Sequence, residues 1–415
     1  MKYIIFSDFN RNYFLFLSYF IIFIIREIIN YYFELTDDII ELFIKCYFNS
    51  LSDFLSIIPL IIIKVRSKSN QKKELKELSV SSIDESLNEI KYLHSDSKRL
   101  INNKQRIIRL EFFISIFEFL AIYLDVIFKI ILIIVKRNLS FKRFEMTSVF
   151  LFNIIAKYLL SVVVLHSIFY KHHYFSLIIH FIFLIVLEIH DQLHIFKEND
   201  WIILFSYNIL KIIVTILYSI EDVYAKVLFS FSSISPYIYL FYRGIFVNIF
   251  ALIFSIIFIF VDIPDENGNN SCVYTRFWKI YENKLNILYS VLLVILNFIY
   301  NVNIFFIIDK FTPSHFGMAS ILENFGLLLI STIVGRIKIP VFFIRLIIYL
   351  ILIFAASIYN ELIILKVCGL HLNTKTFLEK SSKEDIMQIF LNNDSRYNSE
   401  IEEEKIELDD DMIYN

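Results

Sequence analysis

The sequence predicts an all-α, polytopic membrane protein with about ten transmembrane helices, and three observations support that fold class. Apolar runs of about 18 to 25 residues follow one another along the chain, each long enough to cross a hydrocarbon core of about 30 Å as a helix. Composition agrees, since 57% of the 415 residues are hydrophobic and the mean hydropathy is +0.62, which excludes the soluble globular class. The runs also lack the period-two alternation of a membrane β-barrel, and only helices or closed barrels satisfy their backbone groups in lipid.

The elements follow in order. The first span, near 12–29, has no small-residue cleavage site behind it and reads as a retained helix, not a removed signal. A second span near 39–63 completes a first unit, 1–63. Residues 64–109 form a basic loop, with Lys64, Arg66, Lys68, Lys72, Lys73 and Lys76 at one end and Lys104, Arg106 and Arg109 at the other. The positive-inside rule places this loop in the cytoplasm together with both termini. Within it, Leu75, Leu78, Ile83, Leu87 and Ile90 have partial helical periodicity, which suits a surface helix or a linker.

Spans three to five lie near 110–135, 147–169 and 174–195, within a unit 110–195. Lys136, Arg137, Lys142 and Arg143, in the loop after the third span, run against the positive-inside count; either this short loop is an exception or a span is miscounted there. Spans six to ten lie near 201–219, 237–262, 286–308, 315–334 and 339–365, within a unit 196–366. Pro236 cannot continue a helical hydrogen-bond ladder, so residues 220–234 either extend the sixth helix or re-enter the membrane. Thr312 suits the cap of the ninth helix and Pro313 its first turn. Residues 367–415 end in a like-charge run, SEIEEEKIELDDDMIYN, expected to be a solvated, largely disordered cytoplasmic tail.

Several function classes drop out. The formal net charge is −2 with many charges in the two polar segments, so net charge says little about partners; no nucleic-acid partner is expected. Cys46, Cys272 and Cys368 form no CxxC spacing and predict no disulfide framework. A Walker loop, HExxH, GxSxG and a dinucleotide fingerprint are all missing from the sequence, so no cofactor is expected and ATP-driven transport by this chain alone is disfavoured.

The candidate chemistry lies inside the spans. Glu111, Glu118 and Asp125 recur every seven residues on the third span, and a heptad drifts only about 20° on a straight helix, so they share one stripe. A carboxylate in hydrocarbon costs roughly 2.5 to 3.5 kcal/mol on insertion scales, so the stripe should face the bundle interior or water. Glu118 and Asp125 are read as proton-linked or cavity-wall groups, with Asp125–Lys129 a local pair and Glu111 closer to the interface. Lys157, Lys211 and Glu323 fall near the middle of spans four, six and nine and are the candidate substrate contacts. Lys157 could instead pair with Glu118 and serve only helix association.

His190 and His194 lie four residues apart at the end of the fifth span, a spacing that can present two imidazoles to zinc, although polar residues are ordinary there and no metal is assigned. His166, His172, His173 and His180 read as interfacial or satisfied core residues. Asn269, Asn270 and Ser271 form an N-x-S acceptor on the non-cytoplasmic side, with Asn269 as the glycosylation candidate.

The segments SIEDVYAKVLF, SPYIYLFYRGIFVNIFALIFSI and FTPSHFGMASILENFGLLLISTIVG, followed by a closing span ending in SIYNELII, resemble the carboxy-terminal half of the drug/metabolite transporter superfamily over residues 201–365. Ten spans with both ends inside suit that architecture of two five-helix inverted repeats. The resemblance implies that the fourth and ninth helices line a central cavity, with Lys157 and Glu323 at matching depths. Gly317 and Gly326 would allow close helix approach. All six glycines lie after residue 243, so the first half departs from the family's small-residue packing, and the 64–109 insertion is unusually long.

The expectation is a secondary carrier in a lipid bilayer that moves a small polar or anionic metabolite by alternating access, with homodimer formation and the identity of the membrane left open. Two alternatives stand beside it. One is an intramembrane lipid-modifying or metal-dependent enzyme using the histidines. The other is a non-catalytic membrane scaffold whose acidic tail recruits partners.

Overall fold

The computed structural model describes residues 4–6, 11–32, 47–78, 107–124, 126–127, 148–167, 169–195, 201–232, 234–258, 262–264, 270–272, 281–335 and 339–365, with positions 274, 275, 278, 337, 370 and 374. Its helices are α1 (Arg11–Tyr32), α2 (47–78, with a single 3-10 turn at Phe54–Ser56 before the stretch Ile57–Leu78), α3 (107–124), α4 (Ser148–Leu165) and α5 (Lys171–Ile195). They continue as α6 (Trp201–Ser232), α7 (Pro236–Phe258), α8 (Lys284–Lys310), α9 (Pro313–Ala319 and Ile321–Ile333, interrupted at Ser320) and α10 (Ile339–Tyr359). Two short antiparallel pairs complete the description, β1 (Ile4–Phe6) with β4 (Ile363–Leu365) and β2 (Asp262–Pro264) with β3 (Asn270–Cys272).

The protein is an all-α integral membrane protein. Among the described residues six stretches are long and apolar enough to cross a bilayer: Tyr47–Ser67, Lys171–His190, Pro236–Ile256, Lys284–Lys310, Pro313–Ile333 and Ile339–Tyr359. Helices α1, α3, α4 and α6 occupy the other four apolar runs of the sequence. Outward stripes are apolar where a soluble protein would be polar. Ile178, Ile182 and Ile189 on α5 and Phe343, Ile347 and Leu350 on α10 are each at least half exposed, as a lipid-facing surface requires.

Local chemistry sets the helix ends. Residues 220–232 continue α6 as helix instead of re-entering, and α7 then starts at Pro236, whose missing N–H costs nothing in the first turn. The preceding Ser235 carbonyl accepts from the Ile238 and Tyr239 N–H groups. Asn283 caps α8 by accepting from the Leu285 N–H at 3.0 Å. Thr312 does precede α9 with Pro313 in its first turn, but its hydroxyl makes no capping bond and lies 2.7 Å from His315 Nδ1. His166 ends α4 at φ 48°, the left-handed place glycine usually takes, and the Ser167 N–H closes the turn on the Ser161 carbonyl.

Two apolar cores share α9. One joins Phe16, Tyr19 and Phe23 of α1 to Leu228, Tyr239, Phe305 and Phe316 from α6, α7, α8 and α9. The other joins Ile154 of α4, Leu184 and Leu187 of α5, Met318, Ile321 and Leu328 of α9, and Leu352 and Tyr359 of α10. The broken helix therefore packs against α1 on one side and against α4 and α10 on the other. The β1–β4 pairing, with Ile4 opposite Leu365, brings the entry to α1 beside the exit of α10.

Candidate functional site

Buried charge gathers where α2, α3, α6, α7 and α8 meet. Arg243 of α7 is the hub. Its Nε and Nη2 each lie 2.8 Å from Asp53 Oδ2 on α2, and its Nη1 donates to Glu221 Oε1 on α6 at 2.8 Å. Glu118 Oε2 on α3 is 3.4 Å from Nε, close enough for charge attraction but without a hydrogen bond. Asp53 is 0% exposed and also accepts from the Asn301 amide of α8 at 2.9 Å, while the Tyr239 hydroxyl donates to Glu221 at 3.3 Å. The guanidinium lies over the Phe305 ring, 4.8 Å from its centroid, so one planar cation serves two hydrogen-bonded carboxylates and an aromatic face.

Position 244 must be glycine for α7 to come this close to α2. A Cβ there would lie 2.9 Å from Asp53 Cβ and 3.2 Å from the Asp53 carbonyl carbon and the Phe54 nitrogen, all parts of the facing backbone or its root. The 3-10 turn at Phe54–Ser56 sits at the same contact, packed on α7.

A second ion pair lies beside the first. Lys157 Nζ of α4 is 2.6 Å from Asp222 Oδ2 of α6 and 4.2 Å from the centroid of Phe316 on α9. Lys157 thus pairs with Asp222 and not with Glu118, because Asp222 sits on α6, the helix against which α4 packs. Gly317 lies against the Lys157 chain, where a Cβ would be 3.2 Å from Cδ. Glu323, six residues further along α9, accepts from the Tyr19 hydroxyl of α1 and the Tyr300 hydroxyl of α8. Tyr19 and Tyr300 stack with centroids 5.4 Å apart, and Arg26 lies over Tyr300 at 4.0 Å.

The candidates read from sequence sort unevenly. Glu118 and Lys157 belong to this layer, and Glu323 is buried against Tyr19 and Tyr300. Lys211 is half-buried on α6, ten residues and about 15 Å of helix before Glu221, and does not reach it. Asp125 and Asn269 lie outside the described residues, as does the side chain of His194, whereas His190 is half-buried on α5. Glu111, expected at the interface, is 0% exposed. Among the described residues no group of three or more His, Cys, Asp or Glu is arranged to hold a metal ion.

Four residues of the centre were missed. Asp53 and Arg243 stand within the second and seventh predicted spans, and the rule that selected Lys157 could have selected them. Glu221 and Asp222 lay beyond the predicted end of the sixth span, which stopped at 219 while the helix continues to Ser232.

The expected interfacial histidines also collect, away from Arg243. His172 and His173 open α5, with ring centroids 4.0 Å apart, and His173 meets His315 of α9 at 5.5 Å and Tyr359 of α10 at 4.6 Å. His172 Nε2 is 3.4 Å from the Glu361 carboxylate, and the Tyr170 N–H donates to His173 Nδ1 at 2.9 Å.

Set against protein-family models and curated proteins, the chain matches none.

Proposed function

We propose that this protein is a secondary carrier that moves a small polar solute across a membrane by alternating access. The observation that carries the reading is the ionic layer itself: Asp53, Glu118, Glu221 and Arg243, with Lys157 and Asp222 beside them, are buried together on helices of a membrane protein. Burying a charge in hydrocarbon is costly, and a neutral apolar layer would hold the bundle at least as well. A polar centre shared by several helices is what a solute pathway needs.

Two further features support the reading. Helix α9 makes a single tight turn at Ser320, between Phe316, whose ring faces Lys157, and Glu323, so both of these buried ionisable groups are set by one helix. The β1–β4 pairing suits an even number of crossings with both ends of the bundle on one side, in keeping with ten spans in two five-helix halves and with the resemblance to drug/metabolite transporters over 201–365. The solute, however, is better matched by a neutral or cationic compound than by an anion, because Lys157 and Arg243 already face carboxylates. Lys157, Glu323 and Glu118 remain the residues assigned to the pathway, joined by Arg243 and Asp53.

The test is binding. Purified full-length protein in mild detergent is heated with a panel of amino acids, polyamines, sugars, nucleosides and organic acids. A solute at about 100 times its dissociation constant stabilises a one-site protein by about 2.7 kcal/mol. At least one polar solute should raise the midpoint in the wild type and fail to do so in Lys157→Met. Stabilisation that is equal in both proteins contradicts the assignment.

A further inference from the structure

We propose that Glu111 and Glu118 of α3 form a proton-loading pair, so that the solute moves together with protons; this rests on the carrier reading above. The charges set the problem. Within 3.4 Å of Arg243 stand three carboxyl groups, Asp53, Glu118 and Glu221, and the buried Glu111 lies about 10 Å before Glu118 on the same helix, while Lys157 and Asp222 neutralise each other at 2.6 Å.

The donors of Arg243 are unequally spent. Nε and Nη2 go to Asp53 and Nη1 to Glu221. Among the described residues none donates a hydrogen bond to Glu118 Oε2 or to either oxygen of Glu111, although both residues are at most 2% exposed. Two carboxyl groups of one helix thus sit in the layer with oxygens left over, and Glu111 is a fully buried side chain that no described group satisfies.

The surroundings narrow what can fill that need. Helix α3 packs on α7 through rings, Phe112 against Phe246 and Phe250, and Phe119 and Tyr123 against Phe254. The charged and titratable groups facing Glu111 and Glu118 are Arg243 and Tyr239 of α7, Glu221 and Asp222 of α6, and Asp53 of α2. A metal cation would need several converging oxygens, yet the nearest ones are already committed to a guanidinium that would repel it. A proton needs one oxygen. Taken up on a carboxylate oxygen of Glu111 or Glu118, it removes one negative charge and leaves an O–H that can donate.

The pair also has a lever. Arg243 is drawn toward α3 by Glu118 and held on α2 and α6 by Asp53 and Glu221. Protonating Glu118 removes the pull toward α3, and its release restores it. Loading therefore changes which helices share the guanidinium, which is the differential contact a two-state carrier requires.

Infrared spectroscopy of the full-length protein in lipid vesicles, titrated in light and heavy water, tests this. The wild type should show a protonated-carboxyl stretch that falls as pH rises and shifts in heavy water, and Glu111→Gln should lose one component of it. The Gln side chain keeps the size of Glu111 and breaks no hydrogen bond, and the wild-type titration stands without the variant. No titrating carboxyl stretch in the wild type overturns the proposal. So does a stretch identical in the wild type, Glu111→Gln and Glu118→Gln, or one abolished by adding sodium at constant pH. A titrating stretch in a protein that takes up no solute overturns the carrier reading and leaves the proton pair standing. A titrating stretch with solute uptake that ignores an imposed pH gradient overturns the coupling.

Discussion

Replacing Arg243 with Met asks how much the buried centre holds the bundle together. The guanidinium makes three contacts of 2.8 Å to Asp53 and Glu221, with Asp53 0% exposed and Glu118 nearby at 3.4 Å. Removing one partner of a buried pair leaves an uncompensated charge and costs about 3–5 kcal/mol. Against a native stability of about 5–15 kcal/mol this is a large fraction. Arg26→Met is the reference: Arg26 pairs with the neighbouring Glu27, both side chains are partly exposed, and it covers Tyr300 at 4.0 Å. A partly exposed pair of this kind is worth about 0–1 kcal/mol and the ring contact about 0.5–2 kcal/mol. Unfolding in mixed detergent and dodecyl sulfate micelles measures both. Arg243→Met should unfold at clearly lower denaturant than Arg26→Met. The triple variant Arg243→Met, Asp53→Asn, Glu221→Gln should recover most of the loss, since removing an entire buried ion pair is often near neutral. Equal midpoints for Arg243→Met and wild type, or a triple variant worse than the single one, refute the reasoning.

Other expectations follow from the same geometry. Gly244→Ala puts a Cβ 2.9 Å from Asp53 Cβ and against the backbone of α2, and should cost about 1–3 kcal/mol by the same unfolding assay, because α7 must retreat. Gly326→Ala meets only side chains, the Ile24 Cδ1 tip at 2.6 Å and the Phe23 ring at 3.2 Å, and no facing backbone, so its measured loss should be smaller than that of Gly244→Ala. Glu323→Gln should keep an acceptor for Tyr19 and Tyr300, whereas Glu323→Leu leaves two buried hydroxyls unmet at about 1–3 kcal/mol each; near-equal stability of the two variants would contradict the contact. Lys157→Met leaves Asp222 without its cation and should unfold at clearly lower denaturant than the wild type, with Lys157→Met, Asp222→Asn recovering part of the loss; an unchanged midpoint in Lys157→Met would contradict the pairing.

The helical architecture was legible because hydrocarbon imposes a length and an apolar composition that the sequence records directly, and six described stretches are long and apolar enough to cross a bilayer. The limits of those runs were not, since adjacent acidic residues such as Glu221 and Asp222 lower local hydropathy and end a run while the helix goes on to Ser232. Depth in a span picked out Glu118, Lys157 and Glu323, because an ionisable group there needs a reason. Their partners were illegible: Lys157 meets Asp222 across α4 and α6, and Asp53 meets Arg243 across α2 and α7, pairings fixed by packing between segments far apart in the chain. Glu111 shows the same limit, since heptad spacing put it on the stripe of Glu118 while only the neighbouring helices bury it.

The most direct test of the central claim is uptake into liposomes carrying the full-length protein, measured with whichever labelled solute stabilises it best. Saturable uptake above that of protein-free liposomes is expected, abolished in Lys157→Met that still elutes as folded protein. Uptake no greater than that of protein-free liposomes, or undiminished in the variant, contradicts it.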